Sequence, residues 1–265
     1  MPALIAFDTS TERMSVALRC GERVVAREGE GGARASATLL PTVLDVLAEA
    51  GIALADLDAI AFGRGPGAFT GLRTSCAVAQ GLALGSGKPV LPIDTLLAVA
   101  EDARGAAADV RIWALLDARM EQIYAAEYAH ADGRWTTLVA PFLADCDALA
   151  ARWHDAPPAV VAGNAIAAFG ARLRTGNAAT VPDAAPRASA LLRVAEQAWA
   201  EGAALDPSLA LPLYVRDKVA ETERERAARS LAVSAAPNGA APSPLRSPPA
   251  EREEGRAPSA PLSNA

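Results

Sequence analysis

The run Gly63-Arg64-Gly65-Pro66-Gly67-Ala68-Phe69-Thr70-Gly71-Leu72-Arg73 places four glycines between positions 63 and 71. Glycine accepts positive φ and lets another backbone or a ligand approach closely. An apolar stretch, residues 57–62, leads into the loop and a run of small residues follows it. A turn this permissive suggests a site, or what is left of one. Two further segments carry residue types suited to phosphate. In Phe7-Asp8-Thr9-Ser10-Thr11 an acid and hydroxyls meet at a strand exit. Such a turn can hold a magnesium-bound phosphate, with turn amides facing the anion. It reads equally as an ordinary turn in which Asp8 and Thr9 bond their own backbone. Asp117 and Arg119 sit together at a hairpin tip opening the second half. A working phosphate clamp there would want glycines, and Ala118, Arg119 and Met120 are poor replacements.

Other chemistries find less support. Gly63-x-Gly65-x-x-Ala68 matches the dinucleotide fingerprint formally. That fingerprint should follow the first strand of a βαβ unit, open the helix directly and meet an acid about 20 residues on. Here it follows a hairpin meander, Pro66 removes an amide, and the matching position is Ala83. No Gly-Lys-Ser/Thr follows, so it is not a Walker loop. His130 and His154 are the only histidines and have no ligand-spaced partner, so each reads as a surface histidine. Ser-His and Cys-His catalysis lack their base.

The elements that must position these residues follow from periodicity. Residues 3–9, 14–20 and 22–28 read as strands in two successive hairpins. Residues 36–50 read as a helix capped by Gly51, with Pro41 either in its first turn or kinking it. A strand ending at Phe62, the glycine loop, a helix over 70–84 and a strand over 89–93 complete one α/β layer. A second unit repeats that order: helix 95–103, strands 110–117, 122–129 and 135–139, helix 145–153, strand 159–162, helices 165–174 and 189–201. The order hints at a duplicated α/β fold, with no repeat at the sequence level. In the 70–84 helix, Leu72, Cys76, Ala79 and Ala83 share a face, while Ala77, Val78 and Gly81 leave the other sides little polarity. Burial on two sides suggests a partner chain as well as the core.

Composition bounds the reading. The chain has 265 residues and is 51% hydrophobic, enough for one large or two small domains. No apolar run approaches the roughly 18 to 20 residues that cross a bilayer. The N-terminus meets Asp8 without a basic region, unlike a signal peptide. Three scattered cysteines, Cys20, Cys76 and Cys146, fit a reducing cytoplasm. Residues 1–225 carry 20 basic and 28 acidic residues. Such a body is a poor lone binder of a polyanion, so a partner would supply any cationic surface for nucleic acid. Residues 230–265 hold seven of the 19 prolines among Ala, Ser and Arg. They cannot bury enough apolar surface to offset ordering entropy, so 226–265 is expected to be a disordered tail.

Four segments together resemble the TsaB (YeaZ) family: Asp8-Thr9-Ser10-Thr11 with Ser15-Val16-Ala17-Leu18; Gly65 to Arg73; Asp117-Ala118-Arg119 with Tyr124; and Pro212-Leu213-Tyr214-Val215-Arg216 before Val219-Ala220. The glycine segment is the most specific. Ala35-Ser36 departs from the pattern, where a histidine often precedes the serine. The resemblance implies a two-lobed actin/Hsp70/sugar-kinase-like (ASKHA) fold, with lobes at 1–98 and 99–225. It implies a role in making N6-threonylcarbamoyladenosine next to the anticodon of tRNAs reading ANN codons. In that system TsaD binds a metal and transfers the threonylcarbamoyl group. TsaB does no chemistry itself, pairs with TsaD as a heterodimer, and is joined by the ATPase TsaE.

On this reading Asp8, Thr9, Ser10, Asp117 and Arg119 are vestigial phosphate loops, and Gly63, Gly65, Pro66, Gly67 and Gly71 are a structural loop. Thr95 and Val99 stand where TsaD-like chains have two metal histidines, and neither supplies a usable ligand set. Gly163-Asn164-Ala165 offers one glycine where ATP-binding relatives have more. The chain alone is expected to bind no metal or cofactor, with ATP or ADP a candidate at the TsaD junction. Leu40, Val43, Leu44, Leu47, Leu72, Cys76 and Ala79 are expected to face TsaD, or a second copy when TsaD is absent. The alternatives are an ATP-dependent sugar-kinase-like phosphotransferase and a metallopeptidase.

Overall fold

A computed structural model of the chain describes residues 1–216. The expected tail, residues 226–265, lies outside the described residues. Five strands form the first sheet: β1 (Leu4–Asp8), β2 (Arg13–Cys20), β3 (Arg23–Glu30), β4 (Ala59–Gly65) and β5 (Val90–Asp94). Their spatial order is β3-β2-β1-β4-β5, antiparallel across the two hairpins and parallel from β1 to β4 to β5. The second sheet contains β6 (Val110–Asp117), β7 (Ile123–Ala131), β8 (Arg134–Ala144), β9 (Val160–Ala162) and β10 (Ala179–Val181). Its order, β8-β7-β6-β9-β10, repeats the first with the same strand directions. The duplication expected from element order is therefore present. The short, largely exposed β10 carries no periodicity and was not expected.

The helices are α1 (Ala35–Ala50), α2 (Phe69–Ser86), α3 (Thr95–Arg104), α4 (Cys146–Asp155), α5 (Ala165–Phe169) and α6 (Ala188–Ala200). Pro41 falls in the second turn of α1, which continues through it. Gly51 ends α1 at φ 74°, its amide donating to the Leu47 carbonyl at 3.0 Å. Strand residues alternate between faces. Ile5, Phe7, Ile60 and Phe62 pack under α1 and α2 with Leu39, Val43, Val46 and Cys76. Leu4, Ala6, Ala59 and Ala61 turn the other way, against Leu191, Leu192 and Ala195 of α6. The alanines let that helix approach closely. In the second sheet, Ile112, Ala114 and Tyr128 pack under Leu96, Val99 and Ala100 of α3. Trp113, Leu115 and Ile123 pack under Leu149 and Trp153 of α4.

The boundary expected at 98/99 needs correction. It cuts through α3, which packs on the second sheet, while α6 returns from far along the chain to cover the first. The connection after α6 also returns to the first sheet, where Leu205 and Val90 exchange backbone hydrogen bonds of 2.8 and 2.9 Å. The first sheet's second face is thus closed by α6, a helix from the second half of the chain. His130 is a second correction. It is buried, its Nδ1 donates to the Ala108 carbonyl at 2.5 Å, and its ring packs on Trp135 at 5.0 Å. Among the described residues no helix is long and apolar enough to cross a membrane.

Glu101 joins the crossed helices. Its buried carboxylate accepts from Arg104 Nε and Nη2 at 2.8 and 2.9 Å, from Trp135 Nε1 of β8 at 2.8 Å, and from Arg193 of α6. Burial pushes its pKa up, but the hydrogen bonds from Arg104, Arg193 and Trp135 outweigh that and hold it below the ordinary 4.5. The ionised form is therefore the one the fold prefers. Its contribution is complete above the unfolded-state value and is lost as pH falls through the folded one. Glu101→Ala is expected to cost about 3 to 5 kcal/mol at pH 7, because it leaves buried donors and a guanidinium unpaired. Urea melts at pH 7 and pH 4 measure this, with the variant losing less on acidification than the parent. A loss below about 1 kcal/mol, the scale of a surface ion pair, would remove the hub from its role.

Candidate functional site

The three loops singled out by residue type lie at the ends of β1, β4 and β6. At the end of β1, the Asp8 side chain folds back on its own turn. Oδ1 accepts from the Ser10 amide at 2.8 Å and the Ser10 hydroxyl at 2.5 Å, and Oδ2 accepts from Thr95 Oγ1 at 3.0 Å. Burial pushes the Asp8 pKa up, against the lowering effect of these hydrogen bonds. Thr95 in turn accepts from the Gly65 amide at 3.2 Å. Thr9 Oγ1 donates to the Gly71 carbonyl at 2.7 Å and lies 2.6 Å from Ser75 Oγ. The hydroxyls and carboxylate expected to face a phosphate are thus engaged within the chain.

The glycine loop explains why. A Cβ on Gly63 would lie 1.7 Å from Asp8 Oδ2, one on Gly71 1.8 Å from the Thr9 carbonyl oxygen, and one on Gly67 2.6 Å from Ser10. Between these glycines and the β1 turn there is no room for a methyl group, and none for a phosphate. The Ala68 amide donates to the Ser10 carbonyl at 2.7 Å. Gly65, at φ 115°, packs against the Leu213 carbonyl, and the following Gly65-Pro66 peptide is cis. The permissive backbone serves close approach of chain to chain. The second lobe repeats the device: a Cβ on Gly163 would lie 2.0 Å from the Leu115 carbonyl oxygen.

The β6–β7 hairpin tip is held differently. Arg119, Met120 and Glu121 have φ of 61°, 53° and 59°, three consecutive left-handed residues without glycine. Each costs roughly 1 to 2 kcal/mol relative to a right-handed residue. The Arg119 amide donates to Asp117 Oδ1 at 2.8 Å, and the Asp117 amide donates to Asn164 Oδ1 at 2.8 Å. Arg119 Nη2 reaches across to Glu12 Oε1 at 2.8 Å. Both side chains of that pair are exposed, so it contributes little stability. Arg216 buttresses the tip, its Nη2 donating to the Ala118 carbonyl at 2.9 Å and to Gln122 Oε1 at 2.8 Å. Pro212–Arg216 was visible as a segment, but nothing in its residue types revealed this contact.

A metal centre of the TsaD kind does not fit these residues. The Thr95 hydroxyl is spent on Asp8, and Val99 is buried in the second lobe's core. Among the described residues no group of three or more His, Cys, Asp or Glu is placed to hold an ion.

The helix face divides the seven residues expected to meet a partner. Val43, Leu47, Cys76 and Ala79 are buried in the chain's own first core, Leu72 is buried beside Gly65 of the glycine loop, and all five are corrected to buried residues of this chain. Leu40 and Leu44 remain outside, 43% and 51% exposed. Leu84, 68% exposed, and the exposed Ala77 and Gly81 continue the apolar surface on α2. Both helices carry two apolar stripes, and 3.6-residue spacing cannot say which one the sheet takes. A groove of about 430 Å³ beside these stripes is lined by Phe69, Thr70, Arg73, Thr74, Ala77 and Val78, with Ser36. At its end Phe69 packs on Tyr214, with ring centroids 5.5 Å apart, and the Arg73 guanidinium lies 3.7 Å over the Phe69 ring.

Two substitutions test this geometry. Gly71→Ala is expected to cost about 3 kcal/mol or more by overpacking against fixed backbone. The control Gly81→Ala, with nothing within 4 Å, is expected to be neutral or stabilising. Met120→Gly is expected to gain about 0.5 to 1 kcal/mol, because relief at a left-handed position exceeds glycine's entropy cost. Thermal melts read all three. A destabilised Met120→Gly would show that the tip is not strained.

The family model described as "TsaD: tRNA N6-adenosine threonylcarbamoyltransferase" matches residues 32–224. The tRNA threonylcarbamoyladenosine biosynthesis protein TsaB of Escherichia coli is 34% identical over 232 residues, spanning 82% of this chain and 96% of that protein. The protein of the same name from Haemophilus influenzae is 43% identical over 122 residues, 46% of this chain and 51% of its own. Among solved structures, YeaZ from Pseudomonas aeruginosa superposes with a TM-score of 0.74 at 37% identity, covering 81% of this chain and 100% of that one. The match spans nearly the full length of the Escherichia coli and Pseudomonas aeruginosa proteins, and the chain belongs to the TsaB (YeaZ) family.

Proposed function

We propose that this chain is a non-catalytic scaffold and activator in tRNA threonylcarbamoyladenosine biosynthesis, working with a TsaD-type transferase and the ATPase TsaE. The observation that carries the reading is the packing of Gly63, Gly67 and Gly71 onto Asp8, Thr9 and Ser10, with the carboxylate and hydroxyls of that turn hydrogen-bonded within the chain. The chain keeps the bilobal shell of a phosphate-handling fold with its first loop closed by its own backbone. What stays available is the α1–α2 face, and the partner docks there by helix packing. Fully burying a leucine side chain is worth about 1.5 to 3 kcal/mol, so Leu40, Leu44 and Leu84 suffice to anchor an interface. In the partner's absence a second copy covers the same face. Transfer to N6 of the adenosine next to the anticodon is the partner's chemistry. The acidic body of this chain meets tRNA only through the complex. Any ATP or ADP lies at the junction, and the complex works in the cytoplasm.

Leu44→Asp is expected to abolish co-purification with TsaD while circular dichroism and melting stay near the parent's, since Leu44 is already half exposed. Retained pairing would place the interface elsewhere. Titration calorimetry of the isolated chain with magnesium-ATP is expected to give no strong binding. Tight binding abolished by Asp8→Ala would instead make it a sugar-kinase-like phosphotransferase, and stoichiometric zinc or iron in the purified chain would point to a metallopeptidase.

A further inference from the structure

Residues 212–216 touch both the proposed docking face and the strained hairpin. The Leu213 amide donates to the Arg64 carbonyl at 2.7 Å, fixing the strap to the glycine loop. Tyr214 lies against Phe69, and its hydroxyl accepts from Arg73 Nε at 3.1 Å. Two residues on, Arg216 holds the Ala118 carbonyl and Gln122 Oε1, with the Arg119 carbonyl at 3.3 Å. Two residues of chain span at most about 7 Å, so little slack separates Tyr214 from Arg216.

We propose that this strap couples docking on the α1–α2 face to the conformation of the Arg119–Glu121 hairpin tip. The coupling rests on the docking reading above and adds a regulatory consequence to it. Tyr214 and Phe69 are both partly exposed at the end of the groove, so a helix seated there presses on them. Displacing Tyr214 draws Arg216 away from the carbonyls that hold the tip. Arg119, Met120 and Glu121 then relax out of the left-handed region, and Arg119 releases Asp117 and Glu12 across the lobes. The tip is the element that such coupling would move: its present geometry is costly, and Arg216 holds two of its carbonyls alongside the Asp117 carboxylate that accepts from the Arg119 amide. Coupling is reciprocal, so loosening the tip changes partner affinity by the same factor.

Hydrogen exchange of the full chain, alone and with TsaD from the same organism, tests the proposal. Peptides covering 117–123 are expected to change exchange rate about fivefold or more on complex formation. Arg216→Ala, and the milder Gln122→Ala should the first fold poorly, are expected to bind TsaD yet lose that response. Protection of 35–50 and 69–86 with no change at 117–123 in the parent chain would overturn the coupling and leave the docking reading standing. No protection of those helices would sink both. A full response in both variants would also overturn the proposal, since the tip would then be reached by another route.

Discussion

The contact between the glycine loop and the turn that ends β1 is the constraint on which the first lobe depends. Gly63 and Gly71 place bare Cα atoms against Asp8 and Thr9 at separations no side chain tolerates. That closeness aligns Thr9 with Gly71 and Ser75, and Asp8 with Ser10 and Thr95. These buried hydrogen bonds tie β1, the loop, α2 and the start of α3 into one unit. Buried polar groups are costly unless paired, and here the pairing is internal. The loop acts as a joint.

The joint has a structural consequence. Thr95 is the first residue of α3, so anchoring it to Asp8 sets where that helix leaves the first sheet. From there α3 crosses to the second sheet, and α6 crosses back. Glu101 fixes the two helices where they meet, with Trp135 of β8 as a third member. The lobes are therefore interlocked through a buried charged hub, while the exposed Glu12–Arg119 pair across the loops contributes little.

The same arrangement separates a closed side from an open one. Loop chemistry is consumed internally on one side. On the other, α1 and α2 present Leu40, Leu44 and Leu84 without a covering element among the described residues. An apolar face adjoining a groove with aromatic and arginine residues at its end has the composition of an interface centre. That contrast is what the proposed docking role rests on: the polar groups of the loop are engaged within the chain, while the apolar face is open.

Much of this was legible in the residues alone. Alternation in β1 and β2, the glycine at position 51, and the acid-hydroxyl turn at Asp8 are local signals, and local backbone chemistry decides them. The repeated element order was readable for the same reason, except where β10 is too short and exposed to leave a period. Tertiary structure decided the rest. Periodicity shows that α2 has two apolar stripes but not that Leu72, Cys76 and Ala79 face inward while Ala77, Gly81 and Leu84 face out. Spacing shows glycines but not whether a ligand or the chain itself fills the room they make. Which helix covers which sheet, and which carbonyls Arg216 reaches, depend on contacts between residues tens of positions or more apart. No local pattern encodes those, because the energy that selects them exists only once the surfaces meet.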